Sequence, residues 1–142
     1  MRVSDIILRP DVHAYRWWAR RALVRRGYTA FLAGRPADAI RPNYEDLWFL
    51  YRLIRRHRPQ TVLEFGSGCT TVVMAYALRD NESGHLYSVE SDPRWCSVTV
   101  DMLPPELVSR VSLSVSPVED FAQSGQRLCR HMIRPDIDID FL

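Results

Sequence analysis

The sequence predicts an α/β fold: an incomplete parallel sheet of about three to four strands, preceded by an N-terminal helical segment. Three observations predict it. Apolar residues before Pro59 recur at helical spacing, whereas Thr61-Val62-Leu63-Glu64-Phe65 is a short β-type run. Further β-type runs then alternate with helical segments, the pattern of a parallel sheet with right-handed crossovers. A glycine-bearing turn, Gly66-Ser67-Gly68, joins the first run to the first of these helices.

At 142 residues the chain suits one folding unit, with a helical cap over residues 1–58 and the sheet region over 59–142. Its hydrophobic and charged fractions, 46% and 25%, belong to a soluble globular protein rather than a disordered or fibrous one. No apolar run approaches the roughly 18 residues of a membrane span, and the first residues lack a secretory signal, so a cytoplasmic location is expected. Cys69, Cys96 and Cys129 form no C-x-x-C pair, which points to three reduced thiols. All 19 basic residues are Arg. Residues 1–60 hold 13 of them against 5 acids, and residues 61–142 hold 6 against 12. The two segments are expected to attract each other or different partners.

In order along the chain, Asp11 to Gly27 reads as an amphipathic helix capped by Asp11 and ended by Gly27. Tyr15, Trp18, Ala19, Ala22 and Leu23 form its apolar side and five arginines the other. A linker punctuated by Gly34, Pro36 and Pro42 leads to a second helix, Asn43 to His57. Asn43 is its cap, Glu45 and Asp46 lie near its positive end, and Pro59 follows it. The strand at 61–65 gives way to a helix over 70–79 and a turn over 80–84. His85 to Glu90 is a second strand. Asp92 caps a helix with Pro93 in its first turn, running to about Leu103. Arg110 to Val115 is a third strand. Residues 118–123 and 126–133 are expected as short helices, and Ile137 to Leu142 as the beginning of a fourth strand.

In parallel sheets ligands bind at the carboxyl ends of the strands, where the glycine turn lies. Glycine lets the chain turn and a ligand approach closely, and the next helix offers unpaired N–H groups. Two carboxylates flank the turn. Glu64 ends the first strand, and Glu90 ends the second, 24 residues after Gly66. A carboxylate beside a phosphate is unfavourable, so Glu64 suits a ligand that is cationic at that point. An acid at Glu90 can accept hydrogen bonds from ribose hydroxyls. The third glycine of a dinucleotide fingerprint would fall at Thr71, which weakens a nicotinamide or flavin reading.

On these residues the chain from about Asn43 onward resembles the N-terminal half of the class I S-adenosylmethionine-dependent methyltransferases, which have a Rossmann-like sheet. V-L-E-F-G-S-G resembles the family's first motif, and L-Y-S-V-E-S-D its second strand with the ribose-binding acid. The resemblance implies S-adenosylmethionine as cofactor. It places Glu64, Phe65, Gly66, Ser67 and Gly68 around the methionine portion, Glu90 on the ribose and Ser91 beside the adenine. The family often reads the adenine amine with an acid or amide after the third strand. Here that place holds none, and the backbone near Val118 is the substitute.

By the same resemblance, Asp140-Phe141-Leu142 matches only the start of the family's fourth strand, so the chain reads as truncated there. Asp136 and Asp138 precede the strand and are expected in solvent. The first strand then lacks a full neighbour, and self-association through the exposed edge is expected. The sequence names no catalytic residue and no methyl acceptor. Two other classes stay open: a non-catalytic nucleoside-binding or interaction module, and an NAD-dependent oxidoreductase. The Arg-rich first helix suits nucleic acid or an anionic membrane, with a solvated basic face as the preferred reading. His13, His57, His85 and His131 form no metal-binding pair, so no metal is expected. Asn81-Glu82-Ser83 matches a glycosylation acceptor by spacing alone.

Overall fold

A computed structural model describes residues 10–133 and 135–142, with side chains from residue 13 onward. Helix α1 spans Pro10–Arg25 and α2 spans Tyr44–His57. Asp11 thus lies inside α1 rather than capping it, and its side chain is outside the described residues. Of the apolar side expected for α1, Ala19, Ala22 and Leu23 are buried, while Tyr15 and Trp18 stay partly in solvent. A short 3-10 helix, Ala30–Gly34, occupies the linker. Asn43 caps α2 through Oδ1, which accepts from the Glu45 N–H at 3.2 Å.

Strand β1 (Thr61–Phe65) leads to α3 (Cys69–Asn81), β2 (His85–Glu90), α4 (Pro93–Met102) and β3 (Val111–Val115). The three strands pair in parallel in the order β1-β2-β3, with Glu64 opposite Ser88 and Glu90 opposite Val115. Asp92 caps α4 and Pro93 is in its first turn, as the sequence predicts. A 3-10 helix, Pro105–Arg110, links α4 to β3. Helix α3 runs two residues beyond Arg79, because Asn81 is held by tertiary bonds. Its amide donates to the Ile54 carbonyl at 2.9 Å and accepts from Arg55 at 2.8 Å. This burial also removes Asn81 as a glycosylation acceptor. Gly84 follows at φ 89°, where any Cβ would be driven into the Pro59 carbonyl oxygen and to 2.7 Å from Leu78 Cδ2.

The expected helices at 118–123 and 126–133 are instead an antiparallel hairpin, β4 (Val118–Gln123) and β5 (Gln126–His131). Its turn residues, Ser124 and Gly125, both have positive φ, which matches the twist of a two-residue hairpin. Nearly every side chain of the hairpin faces solvent, so no burial pattern marks it. Cross-strand charge supports it, with Arg130 on Glu119 at 3.0 Å and Arg127 on Asp120 at 3.4 Å.

The expected fourth strand is reduced to a single parallel bridge between Phe141 and Val62. The Leu63 N–H donates to the Phe141 carbonyl at 2.9 Å, and the Asp140 carboxylate accepts from the N–H groups of Gln60 and Thr61. These bonds cover the first half of the β1 edge, and among the described residues its second half has no ladder partner on that side. Asp136 and Asp138 are exposed.

One hydrophobic core joins α1, α2, α3, β1 and β2, with Leu23, Ile54, Val62, Leu78 and Leu86 fully buried in it. The charge asymmetry does not build this packing. Among the described residues the one ion pair between the basic and acidic segments is Arg94 with Asp38 at 2.7 Å, each sign coming from the segment poor in it. Arginines of α1 and just past its end lie instead over aromatic rings, Arg20 on Tyr44 at 5.6 Å, Arg21 on Trp17 at 5.3 Å and Arg26 on Trp48 at 4.9 Å. Among the described residues no helix is long and apolar enough to cross a membrane.

Candidate functional site

The site begins with the sharp exit from β1. Gly66 turns at φ 89°, and its N–H donates to the Val89 carbonyl at 2.8 Å, which holds the turn against the end of β2. The next two N–H groups are taken by side chains. Ser67 N–H donates to Glu90 Oε2 at 2.7 Å, and Gly68 N–H donates to Thr71 Oγ1 at 2.9 Å.

Glu90 is 7% exposed and its carboxylate is enclosed by donors. Oε2 also accepts from the Ser67 hydroxyl at 3.2 Å. Oε1 accepts from the N–H groups of Ser91 at 2.7 Å and Asp92 at 3.0 Å, and from the Ser91 hydroxyl at 3.3 Å. Burial pushes its pKa up, but the backbone N–H groups of Asp92, Ser67 and Ser91 outweigh this and hold it below the usual glutamate range. Glu90 is therefore an ionised carboxylate at neutral pH. Two of its five donors are serine hydroxyls, which can rotate away to let another hydroxyl bind.

The Glu64 carboxylate is engaged by hydroxyls of the protein itself. It turns beneath the glycine turn and accepts from three hydroxyls: Thr70, Thr71 at 2.6 Å and Ser88 at 2.8 Å. The Thr71 hydroxyl thus links Gly68 N–H to Glu64 and fixes the start of α3 to β1 and β2. Burial raises the Glu64 pKa, the three hydroxyl bonds oppose the rise, and the nearby charge of Glu90 adds to it.

A cavity of about 530 Å³ opens beside the turn. Of the expected site residues it exposes Ser67, Gly68 and Glu90. Glu64, Phe65, Gly66, Ser91 and Val118 are not in its wall. Phe65 stacks on His131 at 4.8 Å, and Val118 begins the hairpin. Ser91 acts on the cavity through its two bonds to Glu90.

The cavity also has walls that the sequence reading missed. Cys69 and Thr70 come from the first turn of α3, and Trp95, Val98, Thr99 and Met102 from one face of α4. The spacing of the α4 set is helical, so a face count outward from Asp92 would have found it. Thr99 Oγ1 donates to the Ser67 hydroxyl at 3.0 Å and ties that face to the turn. The remaining wall is a strap running from Arg35 to Asn43, together with Asp46 and Leu47 of α2. Arg94 of α4 holds the strap through Asp38 at 2.7 Å, and Arg35 braces it internally by donating to the Ile40 carbonyl at 2.9 Å. Nothing in the residue spacing of this segment announces its position. The Cys69 thiol is pushed up by burial and pulled back by the charge of Arg35. Among the described residues no cluster of three or more His, Cys, Asp or Glu side chains can hold a metal ion.

No protein-family model and no curated protein matches the chain. Among solved structures, the chain is similar to the S-adenosylhomocysteine-bound methyltransferase PaMTH1 of Podospora anserina. That likeness has 18% identity and a TM-score of 0.50 and covers 78% of this chain and 43% of that one. An O-methyltransferase of Bacillus cereus in complex with S-adenosylhomocysteine is similar at 19% identity and a TM-score of 0.44, covering 80% of this chain and 47% of that one. The chain thus spans less than half the length of these relatives. With the parallel β1-β2-β3 sheet and its flanking helices, the likeness to PaMTH1 shows that this chain carries part of a class I methyltransferase-like, Rossmann-like α/β fold.

Proposed function

We propose that the chain binds S-adenosylmethionine at the glycine turn and is a methyltransferase, or the cofactor-binding half of one. One observation carries this reading. The N–H groups of Ser67 and Gly68, which would cradle a phosphate, are already bonded to Glu90 and Thr71. A pyrophosphate there would meet an ionised carboxylate instead of free donors. The turn is built for a nucleoside without phosphate, and Glu90 lies at the wall of the cavity where ribose hydroxyls can reach it. The fold likeness to PaMTH1, which is bound to S-adenosylhomocysteine, supports the same ligand class. The cavity of about 530 Å³ and its largely apolar α4 face suit an adenosyl group.

Bound S-adenosylmethionine supplies a methyl group on a positively charged sulfur, ready for in-line displacement. The residues here contribute binding and orientation. Glu90 fixes the ribose, and Thr71 and Glu64 hold the turn in register. An acceptor that must lose a proton needs a base. No side chain of the cavity is assigned that role.

Titration calorimetry with S-adenosylmethionine, S-adenosylhomocysteine and NAD tests the reading. We expect one-site binding of the first two and none of NAD. Binding of NAD alone would overturn it and favour an oxidoreductase. Cofactor binding without turnover on any acceptor would favour a non-catalytic nucleoside-binding module.

A further inference from the structure

The Arg-rich character of the N-terminal segment is mostly accounted for by rings and helix ends, but Arg35 is not. Arg35 sits on the strap, half-buried, and lines the cavity. Its one side-chain hydrogen bond to protein among the described residues goes to a neutral carbonyl, that of Ile40. No carboxylate within ion-pair distance of it occurs among the described residues. Asp46 shares the cavity wall, but it accepts from the Asn43 amide at 2.8 Å. A guanidinium that lines a cavity and has no ion-pair partner of its own is available to a ligand anion there. The position is marked further by Cys69, whose thiol feels Arg35 as its main neighbouring charge. Cys69 and Thr70 open α3, so their first-turn N–H groups border the same volume. The cavity wall therefore carries a cation from the strap and an anion, Glu90, from the sheet.

We propose that Arg35 binds the carboxylate of the amino-acid portion of the nucleoside, so that the strap distinguishes an aminoacyl-bearing nucleoside from a bare thionucleoside. This rests on the nucleoside reading above. It adds a residue outside the glycine motif and couples ligand binding to the strap that Arg94 and Asp38 hold in place. Arg41, also in the cavity wall but exposed, adds positive charge without a partner-specific geometry.

The test is a two-ligand titration of the full chain and its Arg35→Gln variant, using S-adenosylhomocysteine and 5′-methylthioadenosine. The second probe keeps the adenosine and sulfur but lacks the amino acid. Loss of a charge-assisted bond predicts a fall of about ten- to a hundredfold in S-adenosylhomocysteine affinity. Affinity for 5′-methylthioadenosine is expected to stay within about twofold, which also reports that the variant is folded. Arg35→Lys should recover part of the loss, because it restores charge but not the planar fork. An equal loss for both probes would overturn the proposal by showing that Arg35 acts only on strap packing. No loss for either probe would overturn it as well. If the unmutated chain binds neither probe, the nucleoside reading itself fails, a result separable from the first two.

Discussion

Replacing Glu90 with alanine should lower affinity for S-adenosylhomocysteine by about a hundredfold, or about 2–3 kcal/mol. The same change should lower thermal stability, because the N–H groups of Ser67, Ser91 and Asp92 lose their shared acceptor. Glutamine is not a mild substitute here. Donors surround both oxygens of Glu90, so whichever way the amide points, its NH2 faces other donors. Glu90→Gln is therefore expected to lose nearly as much affinity as Glu90→Ala. Calorimetry with thermal denaturation on both variants checks this. Unchanged affinity in Glu90→Ala would remove Glu90 from the binding site.

The largest stability effect is expected away from the site, at Asp80. Its carboxylate accepts from Tyr28 at 2.5 Å and Tyr51 at 2.8 Å, and it pairs with Arg79 at 2.8 Å. Tyr28 stacks on Tyr76 with ring centroids 4.1 Å apart, and Arg79 lies over that ring at 4.9 Å. Asp80 thus fastens α2 and the chain after α1 to the end of α3. Asp80→Ala leaves two largely buried hydroxyls without an acceptor and should cost about 3 kcal/mol, or about 10 °C in Tm. Burial pushes the Asp80 pKa up, but bonds from Tyr28, Arg79 and Tyr51 hold it below its ordinary 3.8. The native state therefore favours the ionised form. Its contribution is present above that ordinary value and is lost as pH falls through the lower native value. Unfolding curves of the wild type and Asp80→Asn should differ most at neutral pH and converge in acid. A Tm difference that is constant with pH would show that the charge of Asp80 does not stabilise the fold.

The parts of the fold legible in the sequence are those set by local rules. The β1 run, Gly66, the Asn43 and Asp92 caps and Pro93 each require a particular backbone geometry, and the structure has it. The parallel pairing followed because short strands alternating with helices have few other arrangements. The β4–β5 hairpin was not legible as such. Its side chains face solvent, so neither a helical nor an alternating burial pattern was imposed on the sequence, and the Ser124-Gly125 turn was the one usable signal. Of the residues expected at the site, Glu90, Ser67 and Gly68 line the cavity, and strand ends and glycine turns mark themselves in a sequence. The inward turn of Glu64 was not legible, because it depends on Ser88 arriving opposite from another strand. The Arg35–Asn43 strap was hidden for a related reason. Its ion pair with α4, Asp38 with Arg94, joins residues 56 apart in the sequence.

Amide NMR of the full chain during titration with S-adenosylhomocysteine shows whether the glycine turn and its cavity hold a nucleoside. Saturable shifts are expected at Ser67, Gly68, Cys69, Ser91 and Asp92, together with the strap residues Arg35 to Asn43. Absence of shifts, or saturable shifts confined to α1 or the β4–β5 hairpin, would contradict a nucleoside site there.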